Sequence, residues 1–211
     1  MNLKIGFILK KTDCLYMNQK MKLTEEQVIG QCMALYQQGK VEEALVYTEE
    51  NFSLFPISSK LLDTAGAFSL LLNKEINAQM CFRKSLLINP NNADIHYNLA
   101  DLLSKQNDFD EAERCYKNAI KIRPNYVEAH NDFGTFLKDQ GRHDDAEISY
   151  LSVLKFKPNY FQAHLNLGNL YREQKNYDKS RVFYQNAISL KPDFVEAHRY
   201  LGDVLNQMEL F

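Results

Sequence analysis

Prolines recur along this chain at a fixed interval of 34 residues. They are Pro56, Pro90, Pro124, Pro158 and Pro192. Proline lacks a backbone N–H donor and ends helices, so this spacing predicts one helix-ending turn in every unit. A fixed period of this length indicates a repeat architecture, in which each unit is one supersecondary element.

Other residue types keep the same period. Histidines recur at His96, His130, His164 and His198. Small residues recur four positions later in each unit, at Ala100, Gly134, Gly168 and Gly202. Tyrosines recur in the second half of the units, at Tyr116, Tyr150 and Tyr184. Because so many positions repeat together, we interpret the chain as a stack of similar units.

Each unit is predicted to contain two helices. One helical face, with residues three or four positions apart, is formed in the third unit by His96, Leu99, Ala100 and Leu103. Asn107 and Asp108 interrupt this pattern, and Asp108 with Glu111 has the spacing of a capping box that opens a second helix. The small residue of the first helix lets the two helices approach closely. One such pair cannot bury its apolar faces alone, so we predict an all-α solenoid of stacked pairs.

Charge and cysteine content exclude several classes of protein. Lys and Arg number 25 and Asp and Glu number 27, which gives a net charge of −2. Nucleic-acid-binding surfaces usually carry a basic excess, so we expect no nucleic-acid partner. Cysteines lie far apart and form no Cys-x-x-Cys pair, at Cys14, Cys32, Cys81 and Cys115. We therefore expect reduced, partly buried thiols, with neither a disulfide framework nor a zinc site.

The beginning of the chain was considered as a targeting segment. Its apolar run over residues 5–9 is closed by Lys10 and Lys11. A signal peptide needs about 7–15 apolar residues, and a membrane span needs about 18. We therefore expect a cytoplasmic protein without a membrane partner.

The repeating columns resemble the tetratricopeptide repeat family, which has Leu-Gly or Leu-Ala at positions 7–8, Ala at 20, an aromatic residue at 24 and Pro at 32. With the prolines at position 32, the first unit departs from this pattern at Gln31 and Thr48, and the second departs at Ser69. The resemblance predicts a poorly defined leader over residues 1–24 and a solenoid over 25–211. Its repeats are 25–58, 59–92, 93–126, 127–160 and 161–194, with a partial one at 195–211.

The resemblance implies a right-handed α-α superhelix whose first helices line a concave groove. It further implies a protein–protein interaction scaffold. Segments 128–134 and 163–169 are similar to the repeats that precede the catalytic region of O-linked N-acetylglucosamine transferases. In that family, Asn at position 6 of successive repeats holds the backbone of an extended peptide. Position 6 here reads Asn98, Asp132, Asn166 and Tyr200, so half of that row is present.

The resemblance places positions 2, 5, 6, 9, 12 and 13 of the first helices in the groove. Amide side chains there both donate and accept hydrogen bonds, so they can pair with a peptide backbone of any sequence. An excess of carboxylates favours a ligand with some Lys or Arg. The alternative interpretation is a solvated face. The residues expected to contact an extended polypeptide are Tyr97, Asn98, Asp101, Lys105, Asn131, Asp132, Thr135, Lys138, Asn166, Asn169, Arg172, Arg199 and Asp203.

Other site chemistry is not expected. Cochaperone members of the family clamp a C-terminal carboxylate with Lys at position 5, and position 5 here is never Lys. The periodic histidines lie one per unit on helices whose axes pack about 8–10 Å apart. A shared metal needs each ligand nitrogen within about 2.1 Å, so we expect the histidines to pack between helices and to bind no metal. No catalytic or cofactor-binding motif occurs, and we expect the chain not to be an enzyme.

Two function classes remain open at this point: a scaffold that acts by itself, and the substrate-recruiting N-terminal arm of a larger enzyme such as a glycosyltransferase. Residues 208–211 read as a turn into another helix. Without that helix, five apolar residues would be poorly covered, namely Val204, Leu205, Met208, Leu210 and Phe211. This favours a fragment that continues into further repeats or a catalytic domain. The alternative is that the last helix acts as a cap.

Overall fold

The computed structural model describes residues 23–209, which contain eleven α-helices and no strand. They are α1 (Glu25–Gln37), α2 (Val41–Glu50), α3 (Ser59–Leu71), α4 (Glu75–Ile88), α5 (Ala93–Lys105), α6 (Phe109–Ile122), α7 (Val127–Asp139), α8 (His143–Phe156), α9 (Phe161–Glu173), α10 (Tyr177–Leu190) and α11 (Val195–Glu209). We call the odd-numbered helices first helices and the even-numbered ones second helices. The predicted all-α fold is confirmed. Almost all of the predicted leader, and Cys14 with it, lies outside the described residues.

Contacts between Cα atoms divide the chain into two compact units, residues 1–95 and 96–211, and the division falls within α5. In unit 1, α1 packs against α2 and α3, α2 packs against α3, and α3 packs against α4. In unit 2, each helix from α6 to α10 packs against the next one along the chain. The first helices of unit 2 also contact one another, α7 with α9 and α9 with α11. The predicted repeat boundaries and single solenoid domain stay predictions.

A left-handed residue ends each first helix that is followed by a second helix. These residues have φ between 55° and 77° and lie 34 positions apart, at Gly39, Asn73, Asn107, Gly141 and Lys175. Glycine and asparagine adopt this conformation at low cost, and it terminates helices by turning the chain. Asp108 then caps α6, since its side chain accepts a hydrogen bond from the Glu111 N–H at 3.4 Å. The predicted start of a second helix at Asp108 is confirmed.

Several close pairs of helices are built from a glycine beneath an aromatic ring. Tyr150 on α8 has none of its surface exposed, and a Cβ added at Gly134 on α7 would lie 2.6 Å from its ring. A Cβ at Gly168 would lie 2.6 Å from the ring of Tyr184 in the same way. The expectation that small residues permit close approach is therefore confirmed in unit 2.

Unit 1 has the same arrangement once, with Gly66 on α3 beneath the Phe82 ring of α4, and a different arrangement in its first helix pair. Its first pair of helices has Cys32 in place of the glycine and Thr48 in place of the aromatic ring, and their Sγ and Oγ1 atoms lie 3.0 Å apart. A larger residue on α1 thus compensates for a smaller one on α2. Cys32, Cys81 and Cys115 are buried.

The periodic histidines connect each proline turn to the helix that follows it. The Nε2–H groups of His130, His164 and His198 donate to the carbonyl oxygens of the prolines six residues earlier, at 2.9, 2.8 and 2.7 Å. His130 is buried, as expected for packing between helices, whereas His198 is exposed. The sequence analysis missed this bond, although the matched proline and histidine columns were its signal.

The end of α11 corrects two expectations. Met208 and Glu209 are helical and do not form the predicted turn, since α11 continues to Glu209. Val204 was expected to be poorly covered, but it is fully buried because α11 packs against α10. Leu205 is 40% exposed. Leu210 and Phe211 lie outside the described residues.

Candidate functional site

The thirteen residues predicted to contact a polypeptide all lie on first helices of unit 2, namely α5, α7, α9 and α11. We call these residues, together with Tyr200 on α11, the first-helix face. Successive first helices touch, so side chains at equivalent positions can reach each other across one repeat.

A row of hydrogen bonds joins three of these helices. Tyr97 on α5 donates through its hydroxyl to Asp132 Oδ2 on α7 at 2.6 Å. Asn131 Nδ2 donates to Asp132 Oδ1 at 3.0 Å. Asn166 Nδ2 on α9 donates to Asn131 Oδ1 at 3.1 Å. We call Tyr97, Asp132, Asn131 and Asn166 the polar ladder. It shows that the structure brings these four predicted residues together.

The members of the polar ladder differ in exposure. Asn131 is only 8% exposed, so its side chain holds its two neighbours in place. Tyr97, Asp132 and Asn166 are half-buried. Burial, and next the hydrogen bond to the Asp132 carboxylate, raise the pKa of Tyr97 above its usual range. Tyr97 therefore stays a hydrogen-bond donor at physiological pH.

The Asp132 carboxylate carries a charge that no nearby cation balances. Its two oxygens accept hydrogen bonds from the neutral side chains of Tyr97 and Asn131. Among residues 23–209 it forms no ion pair. An accessible carboxylate of this kind attracts a basic group of a ligand.

The lysines of the face are neutralised by their neighbours. Lys105 lies 2.8 Å from Asp101, and Lys138 lies 3.1 Å from Asp139. Lys138 also approaches Glu173 on α9 at 3.6 Å. Exposed pairs of this kind contribute about 0–1 kcal/mol each, so they add little to stability but cancel charge locally.

Two arginines lie against one tyrosine at the far end of the face. The guanidinium carbons of Arg172 on α9 and Arg199 on α11 lie 4.5 and 4.7 Å from the ring centre of Tyr200. The Tyr184 ring lies 5.8 Å from the Tyr200 ring, and its hydroxyl donates to Asn169 Oδ1 at 2.7 Å. Tyr200, which broke the expected row of asparagines, is thus the surface that positions both arginines.

The remaining predicted residues have different settings. Thr135 accepts a hydrogen bond from the Tyr150 hydroxyl at 3.1 Å, so it lies at the edge of the core. Asn98 is half-buried on α5. Asp203 is exposed and shares with Arg172 the lining of a cavity of about 230 Å³ that Tyr177, Val204, Asn206 and Gln207 complete.

Two further properties concern residues 23–209 only. No three His, Cys, Asp or Glu side chains in this range are placed so that they could hold a metal ion. None of its helices has both the length and the apolar character that crossing a bilayer requires.

Family models match three segments of the chain. Residues 93–126 and 115–148 match tetratricopeptide repeat models, and residues 168–208 match a TPR repeat model. Together with the stacked helix pairs, these matches show that the chain contains tetratricopeptide repeats and has the fold of a tetratricopeptide-repeat solenoid.

This chain is similar in sequence to a pilus assembly protein and similar in fold to several solved structures. The type IV pilus assembly protein PilF of Pseudomonas aeruginosa is 32% identical over 77 residues, which are 36% of this chain and only 31% of that protein. YrrB, a TPR protein with an unusual peptide-binding site, is 23% identical, with a TM-score of 0.73 and coverage of 89% of this chain and 95% of that one. A tetratricopeptide repeat protein of Parabacteroides merdae is 20% identical, with a TM-score of 0.78 and coverage of 90% and 74%. At these identities the solved structures show the fold alone.

Proposed function

We propose that the first-helix face binds an extended polypeptide, so that the chain acts as a protein-interaction scaffold. The polar ladder is the observation that carries this proposal. It holds amide and carboxylate groups of three successive repeats in fixed positions before any ligand arrives. A site arranged in advance loses less conformational entropy on binding.

Asn166 retains hydrogen-bonding capacity for a ligand. Its amide has two N–H donors and an oxygen acceptor, and it donates to Asn131 within the protein. The second N–H and the oxygen can pair with a C=O and an N–H of a peptide backbone. Asn98 occupies the equivalent position two repeats earlier, on α5. Two amides in register can therefore hold an extended chain along the face.

The relatives support the same proposal by analogy. YrrB has a peptide-binding site, and PilF acts in the assembly of a pilus. YrrB shares the repeat fold of this chain, and 77 residues of this chain are similar in sequence to PilF. The analogy supports a polypeptide ligand, and the polar ladder supports its position on the chain.

A titration with paired variants tests the proposal. Peptides selected from a random library on the full chain are titrated against Asn98→Ala/Asn166→Ala. The matched control, Asn118→Ala/Asn186→Ala, removes two exposed amides from second helices of the same unit. We expect the first variant to bind roughly 5- to 10-fold more weakly, from two lost hydrogen bonds, with nearly unchanged melting temperature. Equal binding by the two variants would contradict the proposal.

A further inference from the structure

The first-helix face carries unpaired charges of opposite sign in two places, Asp132 on α7 and Arg172 with Arg199 on α9 and α11, which we call its acidic and basic ends. We propose that this face selects a polypeptide segment that carries a basic residue and an acidic residue a few positions apart. The basic residue would contact Asp132, and the acidic residue would contact Arg172 and Arg199. This inference rests on the proposed function and specifies the chemistry of its ligand.

The acidic end surrounds Asp132 on α7. Its carboxylate is fixed by Tyr97 and Asn131 and forms no ion pair among the described residues. Burial raises the pKa of the neighbouring Tyr160, and the charges of Glu128 and Asp132 add to that effect. A Lys or Arg side chain is the complementary group.

The basic end is formed by Arg172 and Arg199, which both lie against the ring of Tyr200. Neither guanidinium forms an ion pair within residues 23–209, although Asp203 lines the same cavity as Arg172. A guanidinium that stacks on an aromatic ring uses its flat face and keeps its N–H donors in the plane of the group. Those donors match the two oxygens of a carboxylate. The tyrosine therefore holds the arginines in position without consuming their hydrogen-bonding capacity.

The two lysines of the face are engaged by carboxylates other than Asp132. Lys138, which lies on α7, is within 4 Å of both Asp139 and Glu173. Lys105 is paired with Asp101 on α5. Asp132, Arg172 and Arg199 are therefore charged groups of the face that no ion pair within residues 23–209 occupies, and a ligand can contact each of them.

The separation of the two ends sets the spacing in the ligand. Asp132 lies on α7 and Tyr200 lies on α11, with α9 packed between these helices. Packed helices are about 8–10 Å apart, so two steps cover roughly 16–20 Å. An extended peptide advances about 3.3 Å per residue, which places the basic and acidic residues about five or six positions apart.

Synthetic peptides with an otherwise identical uncharged polar sequence test this inference. Two charged positions, six residues apart, carry Lys and Glu, Glu and Lys, Lys and Lys, Glu and Glu, or Gln and Gln. Both mixed orders are included because either chain direction is possible. Dissociation constants are measured by fluorescence anisotropy at low and at high salt. We expect the better mixed peptide to bind roughly five- to tenfold more tightly than either like-charged peptide at low salt, with a smaller difference at high salt.

Variants of the chain show which charged residue of the peptide contacts the acidic end and which contacts the basic end. Arg199→Glu should shift the binding preference towards the peptide with two lysines. Asp132→Asn should weaken binding of the mixed peptide about as much as replacing the Lys of that peptide by Gln does. Arg114→Gln and Asp110→Asn on α6 are the matched controls and should leave all five affinities unchanged. Equal affinities for all peptides, with binding still sensitive to Asn98→Ala/Asn166→Ala, would overturn the inference alone. Binding insensitive to the asparagine pair would overturn the proposed function with it.

Discussion

Tyr97 on α5 and Asp132 on α7 are joined by a hydrogen bond of 2.6 Å between side chains one repeat apart. The bond links the first-helix face across two repeats through polar groups, whereas the core beneath links them through apolar packing. Because the acceptor is charged and the donor is half-buried, this contact contributes to stability as well as to the arrangement of the face.

Tyr97→Phe should destabilise the chain. It removes one donor from the carboxylate while keeping the ring, and hydrogen bonds to charged groups contribute about 1.5–3 kcal/mol, with partial exposure favouring the lower end. Urea unfolding measures the change. Tyr160→Phe is the control, because the Tyr160 hydroxyl makes no hydrogen bond within the described residues. If Tyr97→Phe and Tyr160→Phe lower the free energy of unfolding by the same amount, the hydrogen bond between Tyr97 and Asp132 does not stabilise the chain.

Gly134→Ala and Gly202→Ala should change stability in opposite directions. An added Cβ at Gly134 would lie 2.6 Å from the Tyr150 ring, whereas nothing lies within 4 Å of one at Gly202. Overpacking costs about 1–3 kcal/mol, and replacing an unconstrained helical glycine by alanine gains up to about 1 kcal/mol. Thermal and urea unfolding of both variants check this. A stabilised Gly134→Ala would show that the helices can separate freely.

Tyr150→Ala should cost about 3–5 kcal/mol, as large-to-small aromatic substitutions in cores do. Its ring is fully buried against Gly134, and its hydroxyl donates to Thr135. Tyr150→Phe, which removes only that hydroxyl, should cost about 1 kcal/mol. Urea unfolding measures the free energy of unfolding of both variants, and the difference between them gives the contribution of the ring. A loss below about 1 kcal/mol for the alanine variant would place this column outside the core.

Stability should fall as pH rises from about 10 towards 12. The pKa of Tyr150 and that of Tyr184 are each raised to about 12 from an ordinary value of 10.0, and burial is the largest cause in both cases. Between these values the folded state holds protons that the unfolded state releases, so the free energy of unfolding decreases with pH. Urea unfolding at pH 9 and pH 11 measures the slope. Tyr150→Phe should show a smaller loss than the wild type, and an identical loss would contradict the assignment.

The sequence predicted the packing of the repeats better than the details of the face. The repeated positions that determine the fold reflect a steric requirement common to the repeats, namely a small residue where a large side chain of the paired helix packs. Gly134 beneath the Tyr150 ring is an example. A left-handed conformation is favoured by residue type where the turn residue is Gly or Asn. Lys175 adopts the same conformation although lysine has no preference for it. There the packing of α9 and α10 on each other overrides propensity.

The face was harder to predict because partners across repeats are not visible in local spacing. Asn131 was assigned to contact with a ligand, yet it is buried and bridges Asp132 to Asn166. Tyr200 read as an interruption and instead positions Arg172 and Arg199. Each of these contacts depends on how far one helix is shifted along its axis relative to its neighbour. The spacing of residues in a single sequence does not give that shift.

The central claim is that a polypeptide binds along the first helices of unit 2. Hydrogen–deuterium exchange of the full chain, with and without a library-selected peptide, tests it most directly. We predict new protection in α5, α7, α9 and α11, strongest around Asn166, with little change in α6, α8 and α10. Protection confined to those second helices, or to unit 1, would contradict the account.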